Sequence, residues 1–477
     1  MSGRSARESR RMLAPLALAQ FICSFAGSNM NVMISDISRD LDTTVTGVQL
    51  AITLFLLVMA ILMIPCSKLT DRFGRKRCFI VGLALYGVGA LLSAAAPGLG
   101  ILILGNSIFE GVGTALLIPP VYILTTLAFA DLTSRARAFG LISGMGGIGA
   151  AAGPLIGGVI TSAISWRAAF IFQAMVIVAI IVLSRHVRDP LPADPTRTFD
   201  VLGAVLSAVG MFFVVFGILQ ADTDLVLMVA LIAAGVAFLV WFFLYTRGRE
   251  RAGKEPLLTL RLFRNRTSNL ALVTQNLQWL LLMGVSFVVA VFLQEVRGYN
   301  AIETGVIFTA ATVGVLVSSL AAERLAKRHA QRTLIMTGFI VTAAGIGVLL
   351  ALVGASSRVI AFGPGLLLIG LGTGVMLTPS VNVVQSSFPE ALQGDISGLS
   401  RSVSNLGSSF GTAIAGTILV SDLASGNGTY VAAMIVLAVV SLAGIVIAMR
   451  IPATSGQPGT PRERGRSDAP PTAVSHT

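Results

Sequence analysis

Charged side chains are scarce in this chain. Asp, Glu, Lys and Arg make up 12% of its 477 residues, whereas hydrophobic residues make up 55% and the mean hydropathy is +0.85. A water-soluble protein could not cover so much apolar surface with so little charge. The composition therefore excludes a soluble globular domain and predicts an all-α protein that crosses the membrane several times.

Several chemistries are excluded by what is missing. The three cysteines, Cys23, Cys66 and Cys78, are odd in number and lack C-x-x-C spacing, so they predict neither a disulfide framework nor a metal site. The net charge of +12 comes from bases scattered through short connections, with no basic domain to bind nucleic acid. There is no nucleotide-binding loop of the form G-x-x-x-x-G-K-S/T. We therefore expect no cofactor, no direct use of ATP and no enzymatic activity.

Fourteen apolar runs are each long enough to cross the roughly 30 Å of hydrocarbon in a bilayer. The first begins near Met12 and is too long for the apolar region of a cleaved signal sequence. The spans predict a basic tail over residues 1–11, a six-helix bundle over 12–188, two extra spans over 189–250, an amphipathic cytoplasmic linker over 251–267, a second six-helix bundle over 268–451 and a disordered tail over 452–477.

The basic residues indicate the orientation. If both termini are cytoplasmic, the outer connections hold only four of the 34 Lys and Arg residues, namely Arg39, Arg167, Arg297 and Arg358. An excess of bases on the cytoplasmic side is the usual pattern in membrane proteins. We therefore expect a monomeric, multi-pass protein of the plasma membrane, surrounded by membrane lipid.

The chain contains an internal repeat. GVGTALLIPP, from Gly111, aligns with GLGTGVMLTP, from Gly370. Further along, four glycines of the first half align with four of the second: Gly140, Gly149, Gly153 and Gly158 with Gly398, Gly407, Gly411 and Gly416. The sequence therefore predicts two related parallel halves, with the two extra spans inserted between them.

The run GAAAGPLIGG in the fifth span combines small residues with a proline. Small residues let a second helix approach closely, and a proline bends a membrane helix, so the run predicts a tightly packed, kinked helix. The alternative is a glycine-rich helix that faces lipid. The run resembles the antiporter signature of the major facilitator superfamily, g-x-x-x-G-P-x-x-G-G, which implies a hinge. The matching residues are Gly149, Gly153, Pro154, Gly157 and Gly158.

The loop after the second span carries another signature. SKLTDRFGRK, from Ser67, resembles the superfamily motif G-x-L-a-D-R-x-G-R-K, with Ser67 in place of the opening glycine. The resemblance implies a cytoplasmic latch in which Asp71 meets the start of the thirteenth span near Asp395, and we expect Asp131 to pair with Arg75. The alternative is a basic loop that only sets topology. The predicted latch residues are Asp71, Arg72, Gly74, Arg75 and Asp131.

Over roughly Leu13 to Ile451 the chain resembles the fourteen-span drug:proton antiporters of this superfamily, whose halves are parallel repeats. The resemblance implies alternating access, with protons exchanged for a small amphiphilic substrate. Two positions depart from the family pattern. Ala26 replaces the acid of L-D-x-T-I-V-N in the first span, and Ser107 replaces the arginine of R-x-x-Q-G-x-G in the fourth.

Glu110, at the glutamine position of the latter pattern, is the one carboxyl clearly at membrane depth. An acid there costs about 2.5 to 3.5 kcal/mol on insertion scales, so it is a functional candidate by default. We consider Glu110 the candidate for proton coupling, with a permanently neutral, helix-packing carboxyl as the alternative. Arg401, in the thirteenth span, is the other charge within a span and either reaches the surface or pairs across the halves.

Polar and aromatic residues in the first, ninth and twelfth spans are candidates for a central cavity, with helix packing as the alternative for each amide. The mostly apolar set suits an amphiphilic compound better than a sugar or a phosphate. The candidates are Phe25, Asn29, Asn31, Gln275, Gln278, Trp279, Asn382 and Gln385.

The leading hypothesis is proton-coupled export of lipophilic drug-like compounds. A proton-uncoupled facilitator or exporter of a metabolite or lipid is the first alternative, favoured by Ala26 and Ser107. A membrane scaffold or sensor that does not transport is the second alternative. Such a protein would have no need of the hinge and latch motifs.

The orientation predicts the location of the carboxyl terminus. A reporter fused after Thr477 should be cytoplasmic, because four bases follow the last span. These bases are Arg450, Arg462, Arg464 and Arg466. Paired reporters that are active only in the cytoplasm or only outside it will distinguish the two orientations, and an external signal would contradict the fourteen-span arrangement.

Overall fold

The computed structural model describes residues 3–129, 132–187, 189, 199–220, 224–326, 328–355, 358–389, 392–421 and 427–452. For some residues within these helices, the structure describes the backbone but not the side chain. Among the predicted features, Asp131, the side chain of Asp71 and the tail from residue 453 onward lie outside the described residues.

The described parts of the chain form long helices that we number α1 to α14. Thirteen are long and apolar enough to cross a membrane as single segments, and the fourteenth, α5, is bent by 40° between Gly144–Ala150 and Ala152–Ala163. The prediction of an all-α, multi-pass membrane protein is confirmed. The helices are α1 Gly3–Asn29, α2 Val45–Phe73, α3 Arg75–Ala94, α4 Leu99–Leu102 continued by Ile103–Glu110 and Gly111–Ala128, α5 Leu132–Ala163, α6 Trp166–Leu183, α7 Val201–Ile218, α8 Leu225–Arg251, α9 Arg266–Val291, α10 Ala301–Ala326, α11 Gln331–Ala355, α12 Phe362–Ser386, α13 Gln393–Val420 and α14 Gly428–Met449.

Helix boundaries differ from the sequence-based ones at two places. The helix α1 begins at Gly3, so most of the segment predicted as a basic tail is helical. The linker predicted after α8 is a loop with one short 3₁₀ turn, Leu260–Arg264, and its side chains Leu257, Leu258 and Leu262 are buried. Burial of these leucines accounts for the amphipathic pattern without a long helix.

We call the end of the bundle that holds the α2–α3 connection the base, and the opposite end, which holds the short helix Ile34–Asp40 between α1 and α2, the rim. At the base, Gly74 separates α2 from α3 with φ at +92°. This backbone region is open to glycine and strained for residues with a Cβ. The glycine of the loop motif is therefore required by the turn itself.

Helices within each half pack through glycines at equivalent positions. A Cβ at Gly113 would lie 2.7 Å from the carbonyl oxygen of Gly82, so α4 and α3 touch backbone to backbone. In the second half a Cβ at Gly372 would lie 2.6 Å from the carbonyl oxygen of Gly338, which joins α12 to α11 in the same way. The sequence repeat is thus a repeat of helix contacts.

The helices α5 and α13 show the same correspondence. Gly149 packs on the backbone of Phe21 in α1, and its counterpart Gly407 packs on the backbone of Asn276 in α9. Each helix also crosses to the other half near its rim end, where Gly158 meets α10 and Gly416 meets α2. The two halves therefore meet along α5–α10 and α2–α13.

The inserted hairpin lies at the side of this bundle. Its first helix, α7, packs on α2 and α13, whereas α8 exposes a broad apolar surface that includes Val229, Trp241 and Leu244. At the base, the buried carboxylate of Asp200 accepts hydrogen bonds from the Gly203 amide at 3.0 Å and the Leu257 amide at 3.1 Å. Asp200 therefore joins the start of α7 to the linker.

The glycine contacts predict opposite effects for one substitution at two sites. Gly407→Ala should lower thermal stability by about 1 to 3 kcal/mol, because the new methyl group meets the α9 backbone. Gly347→Ala, on α11, should raise stability by about 0.4 to 1 kcal/mol, because nothing lies within 4 Å of its Cβ position. Thermal unfolding of the purified proteins in detergent measures both changes. Equal unfolding temperatures for the two variants would contradict the packing.

Candidate transport site

The antiporter signature of α5 lies at a junction of three helices. Gly149, Gly153 and Gly157 face α1, where Cβ atoms would meet the backbone of Phe21 or side chains of the following turns. Pro154 and Gly158 face α10, against Gly305 and Ala301. The bend of α5 precedes Pro154, which has no N–H for the carbonyl one turn earlier. These glycines and the proline therefore pack against helices of both halves.

At the rim, the halves are joined by hydrogen bonds. The Ser35 amide donates to Oε1 of Gln294 at 3.0 Å, and Nε2 of Gln294 donates to the carbonyl oxygen of Asn31 at 2.7 Å. The Ser35 hydroxyl also donates to Glu295. The Ile302 amide of α10 donates to the Ser162 hydroxyl of α5 at 2.9 Å. Asn31, predicted for the cavity, thus contributes its backbone carbonyl to the rim contact.

At the base, an ion pair joins α2 to α13. Nζ of Lys68 lies 2.6 Å from Oδ1 of Asp395, and their side chains are 32% and 21% exposed. Ser67 packs against Gly398 just inside this pair. The predicted latch motif and the start of α13 are therefore adjacent, with Lys68 supplying the described ionic contact.

The described partner of Arg75 is Asp189, which follows α6. Its Oδ2 accepts hydrogen bonds from the Arg75 amide at 2.7 Å and the Lys76 amide at 3.3 Å, and its Oδ1 lies 3.8 Å from the Arg75 guanidinium. Arg72 stacks on the neighbouring Phe73 ring. Sequence reasoning missed Asp189, because no periodic pattern links it to a loop more than 100 residues earlier.

Glu110 is fully buried inside the first half and faces α3. Its carboxylate accepts hydrogen bonds at 3.4 Å from the Ser93 hydroxyl and from Nδ2 of Asn106. The buried Tyr86 hydroxyl of α3 donates to Gln173 of α6. Among the side chains that the structure describes, no Lys, Arg or His lies within ion-pair distance of this carboxyl. Glu110 thus belongs to a polar cluster at the contact of α3, α4 and α6.

Ser107 shows what replaces the missing arginine of α4. Its side chain is fully buried, and its hydroxyl donates to the carbonyl oxygen of Ala51 in α2 at 2.8 Å. The residue lies in the segment Ile103–Glu110, which is π-helical. Such segments are frequent at functional sites in helices.

Two of the predicted cavity amides are engaged in packing. Gln275 accepts from the Ser400 hydroxyl at 3.0 Å and donates to the Ser404 hydroxyl at 2.8 Å, which joins α9 to α13. Gln278 accepts from Ser380 of α12 at 3.0 Å. Both amides are buried. Their hydrogen-bonding groups therefore serve the second half.

The remaining cavity candidates occupy several environments. Phe25 is buried against Phe21 and Phe172, and Asn29 is buried with no hydrogen-bond partner for its amide among the described atoms. Trp279 is half-buried and Asn382 is exposed. Gln385 is half-buried and donates to Ser397 of α13 at 3.0 Å. The structure therefore does not gather the predicted set at one site.

A contact that the sequence left open crosses between the halves. The Arg401 guanidinium of α13 donates to the Tyr122 hydroxyl of α4 and lies 4.7 Å from the centre of its ring. The Tyr122 hydroxyl donates to Oε1 of Gln20 in α1 at 3.1 Å. Arg401 therefore pairs across the halves. A polar residue on each of three apolar helices was the available signal, but the sequence did not show that they meet.

Comparisons with known proteins agree with this architecture. The family model described as Major Facilitator Superfamily matches residues 16–221 and 198–412. The puromycin resistance protein pur8 of Streptomyces alboniger is 30% identical over 412 residues, which cover 85% of this chain and 81% of that protein. The multidrug efflux pump LfrA of Mycolicibacterium smegmatis is 28% identical over 410 residues, with coverage of 85% and 80%.

A solved structure supports the fold independently. The crystal structure of a mutant of the peptide transporter POT in complex with sulfate matches with a TM-score of 0.66 at 18% identity, over 92% of this chain and 94% of that one. Helix arrangement, signature motifs and family match all agree. The chain belongs to the major facilitator superfamily and is a multi-pass membrane transporter, not an enzyme, with drug-resistance and efflux proteins among its relatives.

Proposed function

We propose that this transporter exports lipophilic drug-like compounds across the plasma membrane by alternating access, in exchange for protons, with its base in the cytoplasm. The observation that carries the proposal is the position of the α5 signature, where α1, α5 and α10 meet. A hinge has to touch both halves in order to move one against the other. The puromycin resistance protein and the multidrug efflux pump among its relatives support drug-like substrates.

The polar contacts between the halves at the two ends of the bundle are individually weak, which suits such a switch. At the rim they include two hydrogen bonds of Gln294 and one of Ser162, each worth about 0.5 to 1.5 kcal/mol. At the base, the partly exposed pair Lys68–Asp395 contributes about 0 to 1 kcal/mol. Differential binding of a substrate or proton can supply a few kcal/mol. Neither end is therefore locked.

Glu110 is the proposed proton carrier. An ionised carboxyl at its position would be a buried charge, and no described Lys or Arg side chain lies beside it to offset the cost. Glu110 therefore holds its proton in this conformation. Release then requires a change at the α3–α4 contact. The π-helical segment that ends at Glu110 supports this role, because its looser hydrogen bonding eases local rearrangement.

A second candidate function is export without proton coupling. Glu110 faces α3 rather than the space between the halves, and the family acid and arginine are replaced by Ala26 and Ser107. Asp36, near the rim, is another possible carrier. Partial burial raises the pKa of its carboxyl, and Arg39 opposes that rise.

A resistance panel in an efflux-deficient host tests export. The protein should raise tolerance to lipophilic compounds, and a protonophore should abolish that tolerance. Gly153→Leu should abolish resistance without preventing membrane insertion, because the side chain would meet α1 at Ser28. Gly147→Leu on the same helix is the matched control and should retain resistance, since nothing lies within 4 Å of its Cβ position. Resistance that is equal in both variants would leave α5 without a hinge role.

Proton coupling is tested by Glu110→Gln in everted membrane vesicles. The amide keeps shape and hydrogen bonding but cannot titrate, so uptake driven by a pH gradient should be lost while downhill substrate exchange persists. Glu303→Gln, at the exposed start of α10, is the matched control and should keep gradient-driven uptake. Uptake that survives Glu110→Gln would rule out Glu110 as the carrier. Uptake by the unchanged protein that ignores the gradient would favour the uncoupled exporter.

A further inference from the structure

One face of α13 is polar and points toward the first half. Gly398 and Ser402 face α2, and Gly407 and Gly411 face α9, so these two faces are occupied by helix contacts. The face between them holds five polar residues over four turns, of which the first bonds Gln385 of α12: Ser397, Arg401, Asn405, Ser408 and Thr412. A stripe of this kind on a membrane helix marks a surface that faces protein or water rather than lipid.

Arg401 is the charged member of this polar face. The described residues give its guanidinium one hydrogen bond, to the Tyr122 hydroxyl, together with the stacking contact on that ring. No described carboxylate lies within 4 Å of it. A half-buried guanidinium has five N–H donors arranged as a planar fork, and that fork matches a carboxylate best. Arg401 therefore offers an anion-binding group that has no counter-ion among the described residues.

Open space lies beside the first-half partners of Arg401. Gln20, Ser24 and Gly27 follow one another along one face of α1, and Nε2 of Gln20 donates to the Ser24 hydroxyl at 3.2 Å. Nothing lies within 4 Å of the Cβ position of Gly27. The Tyr122 ring provides an aromatic surface beside the guanidinium, and the open position at Gly27, about two turns along α1 from Gln20, provides room for the far end of an apolar body.

The described acids of α4 and α13 have other contacts. Glu110 is fully buried and faces α3, and Asp395 at the base pairs with Lys68. The described side chains around the Arg401–Tyr122 contact therefore carry positive charge and no negative charge. A cationic compound at this position would be repelled, whereas an anionic one would gain a charge-assisted hydrogen bond.

We propose that Arg401 recognises the substrate, and that the exported compounds are amphiphiles with an acidic group, such as a carboxylate or an ionised phenol, rather than cations. This proposal rests on the proposed export function. The acidic group replaces the Tyr122 hydroxyl on the guanidinium, and the apolar body lies along the α1 face. Because the Arg401–Tyr122 contact joins α13 to α4, its replacement also removes a tie between the halves. Substrate binding thereby favours their separation.

Two xanthene dyes of similar size test the sign of the preferred charge. Fluorescein is anionic and rhodamine 6G is cationic at neutral pH. Everted vesicles with the unchanged protein should accumulate fluorescein above vesicles that lack it, and should accumulate rhodamine 6G less. Arg401→Gln should reduce fluorescein accumulation roughly tenfold or more, the loss expected for one charge-assisted hydrogen bond, without reducing that of rhodamine 6G. Arg401→Lys keeps the charge but loses the fork, so it should give an intermediate rate.

Controls separate recognition from folding. Arg450→Gln, beyond the last helix, is the matched control and should behave like the parent. Equal membrane abundance and an unchanged elution volume of the purified Arg401 variants exclude misfolding. Preferred accumulation of rhodamine 6G, accumulation of neither dye, or equal effects of Arg401→Gln on both dyes would overturn the proposal. The resistance panel decides the export function separately, because it does not depend on the charge of these dyes.

Discussion

Close approach of helix backbones through glycine is the constraint on which this architecture depends. Lipid tails are as apolar as leucine, so membrane helices gain little from apolar contact and associate where small residues let backbones touch. Gly149 of α5 packs on α1, and Gly407 of α13 packs on α9 in the same way. Both α5 and α13 also reach the other half, through Gly158 and Gly416. Tight packing within a half and movement between halves therefore rest on the same two helices, α5 and α13.

The two ends of the bundle are held by different forces of similar size. Neutral hydrogen bonds around Gln294 join the halves at the rim, and the Lys68–Asp395 pair joins them at the base. An exposed ion pair gains little over its solvated charges, and a hydrogen bond gains little over its bonds to water. The polar contacts at either end are therefore cheap to break, and the helix contacts α5–α10 and α2–α13 are the larger part of what joins the halves.

The sequence predicted what depends on local pattern. Apolar length predicted the helices, and the glycine spacing of α5 predicted close packing, because both follow from neighbours within a few turns. The contacts of Arg75 with Asp189 and of Arg401 with Tyr122 could not be predicted, since each partner lies on an element far along the chain. The choice between cavity and helix packing stayed open for amides such as Gln275 for a related reason: helical position does not tell whether a polar side chain faces a cavity or a neighbouring helix. Only the packing of α9 on α13 decides that.

The two ionisable groups at membrane depth, Glu110 and Arg401, lie in separate parts of the structure that are joined by one helix. Glu110 is inside the first half, whereas Arg401 lies between the halves on Tyr122, and α4 carries both Glu110 and Tyr122 about three turns, or roughly 18 Å, apart. A proton and a substrate would then not compete for one site. Coupling between them would have to pass along α4, as a shift or rotation that changes the Glu110 contacts with α3 and the Tyr122 contact with α13 together. A helix that contains a π-helical segment and is bound to α3 by glycine contacts can accommodate such a change without unfolding.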